Sequence, residues 1–335
     1  MKKTIQLTVF LISVLLYSGC KKDTAETPGI YGLWQVTSSQ VPNLKFVKFN
    51  SNKTLDVFTE TAEGFRGKVN SNFTPTTDQI VANLYGSNYY PTSVYNYTIS
   101  GDVLTIMGDN AQVFITATKS TSDAPETWVK DVVSTDQING LFSDNDRGIG
   151  YDGSNLLFSD YDNGKIIKVS LTTRTIAAQI NAPNSINTIE YDGANYWVSR
   201  NGYSTIEKLD LTGTSIFTST PLGPWLYGIG FFSLNSIICY SNNDNTLYKY
   251  DYGTNSLVFS KVVDDVPLRD IAISNGKVFI VANNLIYRLN SATFAVEATY
   301  RVTDAISITG IAAIATNVFW LNTQGGTKLL KVDLN

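Results

Sequence analysis

The 335-residue chain contains no histidine. That absence removes Ser-His-Asp and Cys-His catalysis, histidine-ligated zinc and imidazole pH switches from consideration. Cysteine is almost as scarce: only Cys20 and Cys239 occur, so there is no disulfide framework, no CxxC pair and no thiolate metal cluster. Charged residues make up 16% of the chain, and a formal net charge of −4 provides no basic field for nucleic acid. No catalytic set, metal set or cofactor motif is assigned. What the chain does have is 24 glycines, 19 tyrosines and 16 phenylalanines against nine prolines, with 43% hydrophobic residues overall. Aromatics and turn formers in that mixture describe packed short strands joined by tight turns. The expected fold class is all-β, and the length suits about two domains of roughly 150 residues.

Lys2 and Lys3 precede an apolar run from Ile5 to Leu16, too short to span a bilayer comfortably and ordered like a cleaved export signal. Ser18-Gly19-Cys20 at its end resembles the lipobox of bacterial lipoproteins, with Tyr17 where the family usually has leucine. The resemblance implies that residues 1–19 are removed, that Cys20 is lipidated and anchors the chain to a membrane, and that residues 20–29 form a polar tether. The Cys20-Lys21-Lys22-Asp23 opening looks like that of Bacteroidetes-type lipoproteins, which implies the cell envelope, at the periplasmic or surface face of the outer membrane. Cys239 lies in the apolar run Ile237-Ile238-Cys239-Tyr240 and is expected to be buried and inert.

Residues 30–119 read as consecutive short strands, several alternating apolar with polar as a sheet with one buried face requires. Asn50-Ser51-Asn52-Lys53, Ser100-Gly101-Asp102 and Gly108-Asp109-Asn110 supply hairpin turns, so a small up-and-down barrel is expected. Gly32-Leu33-Trp34 resembles the Gly-x-Trp of lipocalins, and Tyr97 to Ile106 looks like a late hairpin of lipocalin-like domains. That resemblance implies that Trp34 closes the barrel base as a structural plug. Residues 120–126 are a polar linker carrying Pro125.

The remainder, 127–335, repeats itself. Ile149, Ile189, Ile229, Ile271 and Ile311 stand 40, 40, 42 and 40 residues apart, and Lys168, Lys208, Lys249, Arg288 and Lys331 recur later in the same blocks. A period near 40 with several short strands per unit is the mark of a β-propeller blade, and five blocks give five blades. The residue after each anchor is Gly150, Glu190, Gly230, Ala272 or Ala312, small in four cases because inner strands converge on an axis. The fifth block shows three strands, and Trp128 to Val133 has the pattern to supply its fourth from the N-terminal side. The blocks resemble the broad class of NHL, YVTN-type and quinoprotein-like bacterial propellers.

Loops leading into inner strands and loops joining second to third strands share one face, where propellers usually meet ligands. The candidates there are Arg147, Asn187, Arg200, Tyr203, Trp225, Tyr227, Asn242 and Arg269, since aromatic rings beside Arg and Asn suit a glycan or a peptide. Asp144-Asn145-Asp146 and Asp160-Tyr161-Asp162 invite a calcium reading but lack the ligand spacing of a calcium loop. Asp152-Gly153 and Asp192-Gly193 belong to tight hairpin turns. Glu190 is the odd member of the inner ring, without an identifiable acidic partner and with Arg147 or Arg200 as possible counterions. The expected function is a non-catalytic binding module for an extracellular or periplasmic glycan, peptide or envelope protein. Its alternative is a propeller hydrolase, lyase or lactonase using axial acids, with or without a divalent cation.

Overall fold

A computed structural model describes residues 29–84, 92–108, 111–122, 124–141, 146–233, 235–263, 266–323 and 328–335. Cys20, the export signal, the tether up to residue 28 and Asp144 lie outside the described residues, as does the Arg147 side chain.

The first body is a closed barrel of eight strands: β1 (Gly32–Ser39), β2 (Leu44–Phe49), β3 (Thr54–Glu60), β4 (Arg66–Pro75), β5 (Gln79–Ala82), β6 (Ser93–Ser100), β7 (Val103–Met107) and β8 (Val113–Lys119). Each strand pairs antiparallel with the next, and β1 pairs with both β2 and β8, so no edge is left open. Alternation decides which side chains enter: in β6, Tyr95 and Tyr97 are buried while Val94, Asn96 and Thr98 are exposed. An eight-stranded barrel leaves an interior that side chains fill. Here Trp34, Phe49, Val57, Phe73, Tyr95, Leu104 and Ile106 fill it. Trp34 is buried, donates its indole N–H to the Ile30 carbonyl at 2.7 Å, and carries the Lys119 ammonium 5.4 Å above its ring. It is a plug with its one polar atom satisfied, as the Gly-x-Trp resemblance implies.

After one helical turn, α1 (Ala124–Trp128), come β9 (Lys130–Val132) and β10 (Asp136–Asn139), and then the blades. Blade one is β11 (Asp146–Tyr151), β12 (Asn155–Asp160), β13 (Lys165–Ser170) and β14 (Ile176–Asn181). Blade two is β15 (Ile186–Tyr191), β16 (Tyr196–Arg200), β17 (Ile206–Leu209) and β18 (Ser215–Thr218). Blade three is β19 (Leu226–Ser233), β20 (Ser236–Ser241), β21 (Thr246–Asp251) and β22 (Ser256–Val262). Blade four is β23 (Asp270–Ser274), β24 (Lys277–Ala282), β25 (Leu285–Leu289) and β26 (Val296–Val302). Blade five takes β27 (Ile308–Ala315), β28 (Val318–Thr323) and β29 (Lys328–Asp333), with β10 as its outer strand. Inner strands touch in sequence around the ring, and β27 meets β11 to close it. All five anchor isoleucines are fully buried.

The closing strand differs from the one the sequence suggests. Asp136–Asn139 pairs antiparallel with β29, through Asp136↔Lys331 and Ile138↔Leu329. The Trp128-to-Val133 segment instead contributes β9, which runs parallel to β26 and gives blade four a fifth strand. The bidentate pairing of Arg301 with Asp131, at 2.9 and 2.8 Å, fixes that register.

The barrel is seated on blade four. Phe65, from the β3–β4 turn, is buried in that blade's apolar core with its ring edge-on to Tyr287 at 4.9 Å. Phe46 meets Trp128 edge-on at 5.4 Å, and the Arg66 guanidinium lies 4.7 Å from the Trp128 ring centroid.

Candidate functional site

Up-and-down strand order brings the loops before each inner strand and the loops between second and third strands to one end of the propeller. Backbone and side-chain bonds tie these loops together across blades one to three. Asn201 donates its N–H to the Ser185 carbonyl at 2.8 Å and its amide to the Tyr161 hydroxyl at 2.6 Å. Arg200 Nε donates to the Asn184 carbonyl at 3.0 Å, Nη1 pairs with Glu207 at 3.0 Å, and the guanidinium stacks 4.2 Å from the Tyr203 ring centroid. The Leu226 N–H reaches the Tyr203 carbonyl at 3.4 Å, and the Asn242 N–H reaches the Trp225 carbonyl at 3.2 Å. The Ser241 hydroxyl donates to the Pro224 carbonyl.

Two large rings remain in solvent on this strip: Tyr203 is 46% exposed and Trp225 49%. Trp225 also has a φ of 55°, in the left-handed region that a bulky side chain rarely adopts. Such backbone strain persists only where the surroundings fix it, and it gathers at functional sites.

The sequence candidates therefore separate. Arg200, Tyr203, Trp225 and Asn242 are brought together on adjacent loops. Arg269 is exposed, with its N–H on the Val281 carbonyl at 2.9 Å. Asn187 is 3% exposed and donates to the Leu226 carbonyl at 3.0 Å, which makes it a tie between blades two and three. Tyr227 is half-buried and packs on blade four's core. The backbone of Arg147 lies in β11.

The acids of the hairpin turns are structural. Asp152 accepts the N–H groups of Ser154 and Asn155 and pairs with Lys168 at 2.9 Å; Asp192 repeats the arrangement with Ala194, Asn195 and Lys208 at 3.0 Å. In blades one and two the third-strand lysine thus neutralises the turn aspartate of its own blade. Although burial opposes ionisation of both aspartates, these lysines and N–H groups outweigh it and hold the carboxyls below the usual range. Asp160 caps its own turn through the Asn163 N–H at 3.1 Å. Among the described residues, no three carboxylate or thiol side chains gather as a metal site would require. Cys239 is fully buried and free, and burial pushes its thiol well up.

The axis holds an acid that the sequence reading missed. One residue before the anchors stand Gly148, Thr188, Gly228, Asp270 and Gly310. Side chains two apart on a strand point the same way, so this layer lies directly beside that of Gly150, Glu190, Gly230, Ala272 and Ala312. Each layer thus contains one acid among small residues. Glycine is obligatory in places: a Cβ on Gly148 would come 2.1 Å from the Thr188 Cα. In the space so left, Asp270 reaches three other blades. Its Oδ1 accepts the Thr188 hydroxyl at 2.6 Å and the Ile271 N–H at 3.0 Å, and its Oδ2 accepts the Ile311 N–H at 3.1 Å and the Ile149 N–H at 3.4 Å. Burial nevertheless pushes its carboxyl up to about 7 against those donors. Glu190 is raised well above the usual range by burial and by the neighbouring Asp270. Arg200 is not its counterion, being committed to Glu207.

An all-β protein built of a closed barrel and a five-bladed propeller is the class these features define. No protein-family model matches the chain. No curated protein matches it either. Among solved structures it is similar to the glutaminyl cyclase of Myxococcus xanthus, with 12% identity and a TM-score of 0.52 over 61% of this chain and 97% of that one. It is also matched to the WD40 β-propeller domain of Doa1, with 10% identity and a TM-score of 0.42 over 91% of this chain and 94% of that one. At these identities the first likeness concerns the fold alone.

Proposed function

We propose that the chain is an exported lipoprotein of the bacterial cell envelope, anchored through Cys20 at the outer membrane, and that its propeller is a non-catalytic binding module for a glycan, a peptide or another envelope protein. The observation that carries this reading is the Tyr203–Trp225 strip. Two half-exposed rings stand on loops locked to each other by backbone bonds, one stacked by Arg200 and the other held outward by a strained backbone. Rigid aromatic platforms bordered by Asn and Arg bind sugars and peptides at low entropic cost. The test is a thermal-shift screen of the soluble form beginning at Lys21 against glycans and peptides, with and without calcium. A ligand that raises the melting temperature of the parent but not of Trp225→Ala or Arg269→Ala supports the reading, because ligand bound to the folded state stabilises it.

The axial acids favour a second reading, a hydrolase, lyase or lactonase. Glu190, whose carboxyl burial and the neighbouring Asp270 hold well above the usual range, has the property of a general acid. Asp270 is occupied by four donors and serves the ring rather than a substrate. The substrates to try are lactones, glycosides and, given the name of the similar structure, glutaminyl compounds.

A further inference from the structure

We infer that the cleft between the barrel and blade four is a binding site for a small molecule bearing a carboxylate. The cleft has a volume of about 270 Å³, near the lower end of the range for ligand sites, which suits a monosaccharide or a dipeptide. Both bodies and the connection between them build it: Glu60, Gly64 and Arg66 from the barrel, Trp128 and Lys130 from the connection, and Arg288 with Val296–Thr299 from blade four.

The charges do not cancel. Glu60 is taken by Arg66 at 2.8 Å, and Glu297 is held below the usual carboxylate range chiefly by Lys277 at 2.7 Å. Arg288 Nε lies 3.4 Å from Glu297 Oε2 but makes no hydrogen bond, although the atom is buried. Thr299 Oγ1 is likewise buried and unpartnered. Lys130 is exposed, with the Tyr300 ring 5.9 Å away and no carboxylate against it among the described residues. Buried polar atoms are normally satisfied, and here a buried guanidinium N–H and a buried hydroxyl without a hydrogen-bond acceptor share one cleft with an exposed ammonium. A carboxylate supplies it: one oxygen for the Arg288 fork, the other for Lys130. The parallel pairing of β9 covers only Tyr300–Val302, so the outer edge of β26 at Val296–Thr299 is free to meet the rest of the ligand.

The site is remote in the chain from the Tyr203–Trp225 strip, and its test is separate. The soluble form beginning at Lys21 is titrated calorimetrically at low salt with galacturonate against galactose, and with Ala-Ala against its C-terminal amide. The expected result is that at least one carboxylate form binds, that its neutral counterpart binds at least tenfold more weakly, and that Lys130→Gln and Arg288→Lys each weaken binding about tenfold while Lys165→Gln, in blade one, leaves it unchanged. Which acid binds identifies the source of the carboxylate. The proposal is overturned if neither acid binds at millimolar concentration, if the neutral forms bind equally well, or if Lys130→Gln binds as the parent does.

Discussion

Asp270, at the start of blade four's inner strand, accepts a 2.6 Å hydrogen bond from the Thr188 hydroxyl of blade two, across the axis of the propeller. With its bonds to the Ile149 and Ile311 N–H groups it makes one carboxyl a common acceptor for four blades. Asp270→Ala leaves buried donors without an acceptor, each costing about 1–3 kcal/mol. The expected loss is about 3 kcal/mol or more by urea denaturation, against about 1 kcal/mol for Thr188→Val. Asp270→Asn also destabilises, because its amide N–H₂ confronts donors. A loss below about 0.5 kcal/mol for Asp270→Ala contradicts the role.

The same carboxyl sets a pH dependence. Its folded pKa, about 7, lies above the unfolded value, so the folded state holds the extra proton and stability falls as pH rises from about 4 to about 7. Glu190 acts in the same direction. Asp152 and Asp192 are shifted the other way, and their contribution is lost as pH falls below the ordinary carboxylate range. Melting temperature should therefore be greatest on the acidic side of neutrality. Its decline toward pH 7 should flatten in Asp270→Asn.

Much of this was legible in the sequence, for definite reasons. The anchor isoleucines recur because each blade buries the same position, and the third-strand cations hold the same half-buried one, so blade number follows from their spacing. The closing strand was misread because Trp128 to Val133 carries the apolar pattern of an outer strand, whereas Asp136-Gln137-Ile138-Asn139 offers one buried residue in four. Asp270 was hidden beside Arg269 in what reads as a polar loop. The signal that finds it is the layer of Gly148, Thr188, Gly228 and Gly310, whose small side chains leave room for one acid.

Close approach of inner strands makes a sharp contrast between glycines. Gly148→Ala forces a Cβ to within 2.1 Å of backbone, and it should cost about 3 kcal/mol or prevent folding. Gly108→Ala, in the barrel, meets nothing within 4 Å and should be nearly neutral by the same denaturation experiment.

Phe65 couples the two bodies. Phe65→Ala removes a buried ring from blade four's core at an expected cost of about 3 kcal/mol or more. Because that ring bridges barrel and propeller, calorimetry should show one unfolding transition in the parent and two in the variant. A single unshifted transition in the variant would show that the bodies are not coupled through this residue.

Whether the propeller binds or catalyses is decided most directly by one comparison. The parent, Trp225→Ala and Glu190→Gln are each incubated with the glycan, peptide and lactone panel while melting temperature and substrate consumption are followed together. The account predicts a ligand that stabilises the parent and Glu190→Gln alike, fails to stabilise Trp225→Ala, and is recovered unchanged. Consumption of a substrate by the parent and by Trp225→Ala, abolished in Glu190→Gln, would contradict it and place the function at the axis.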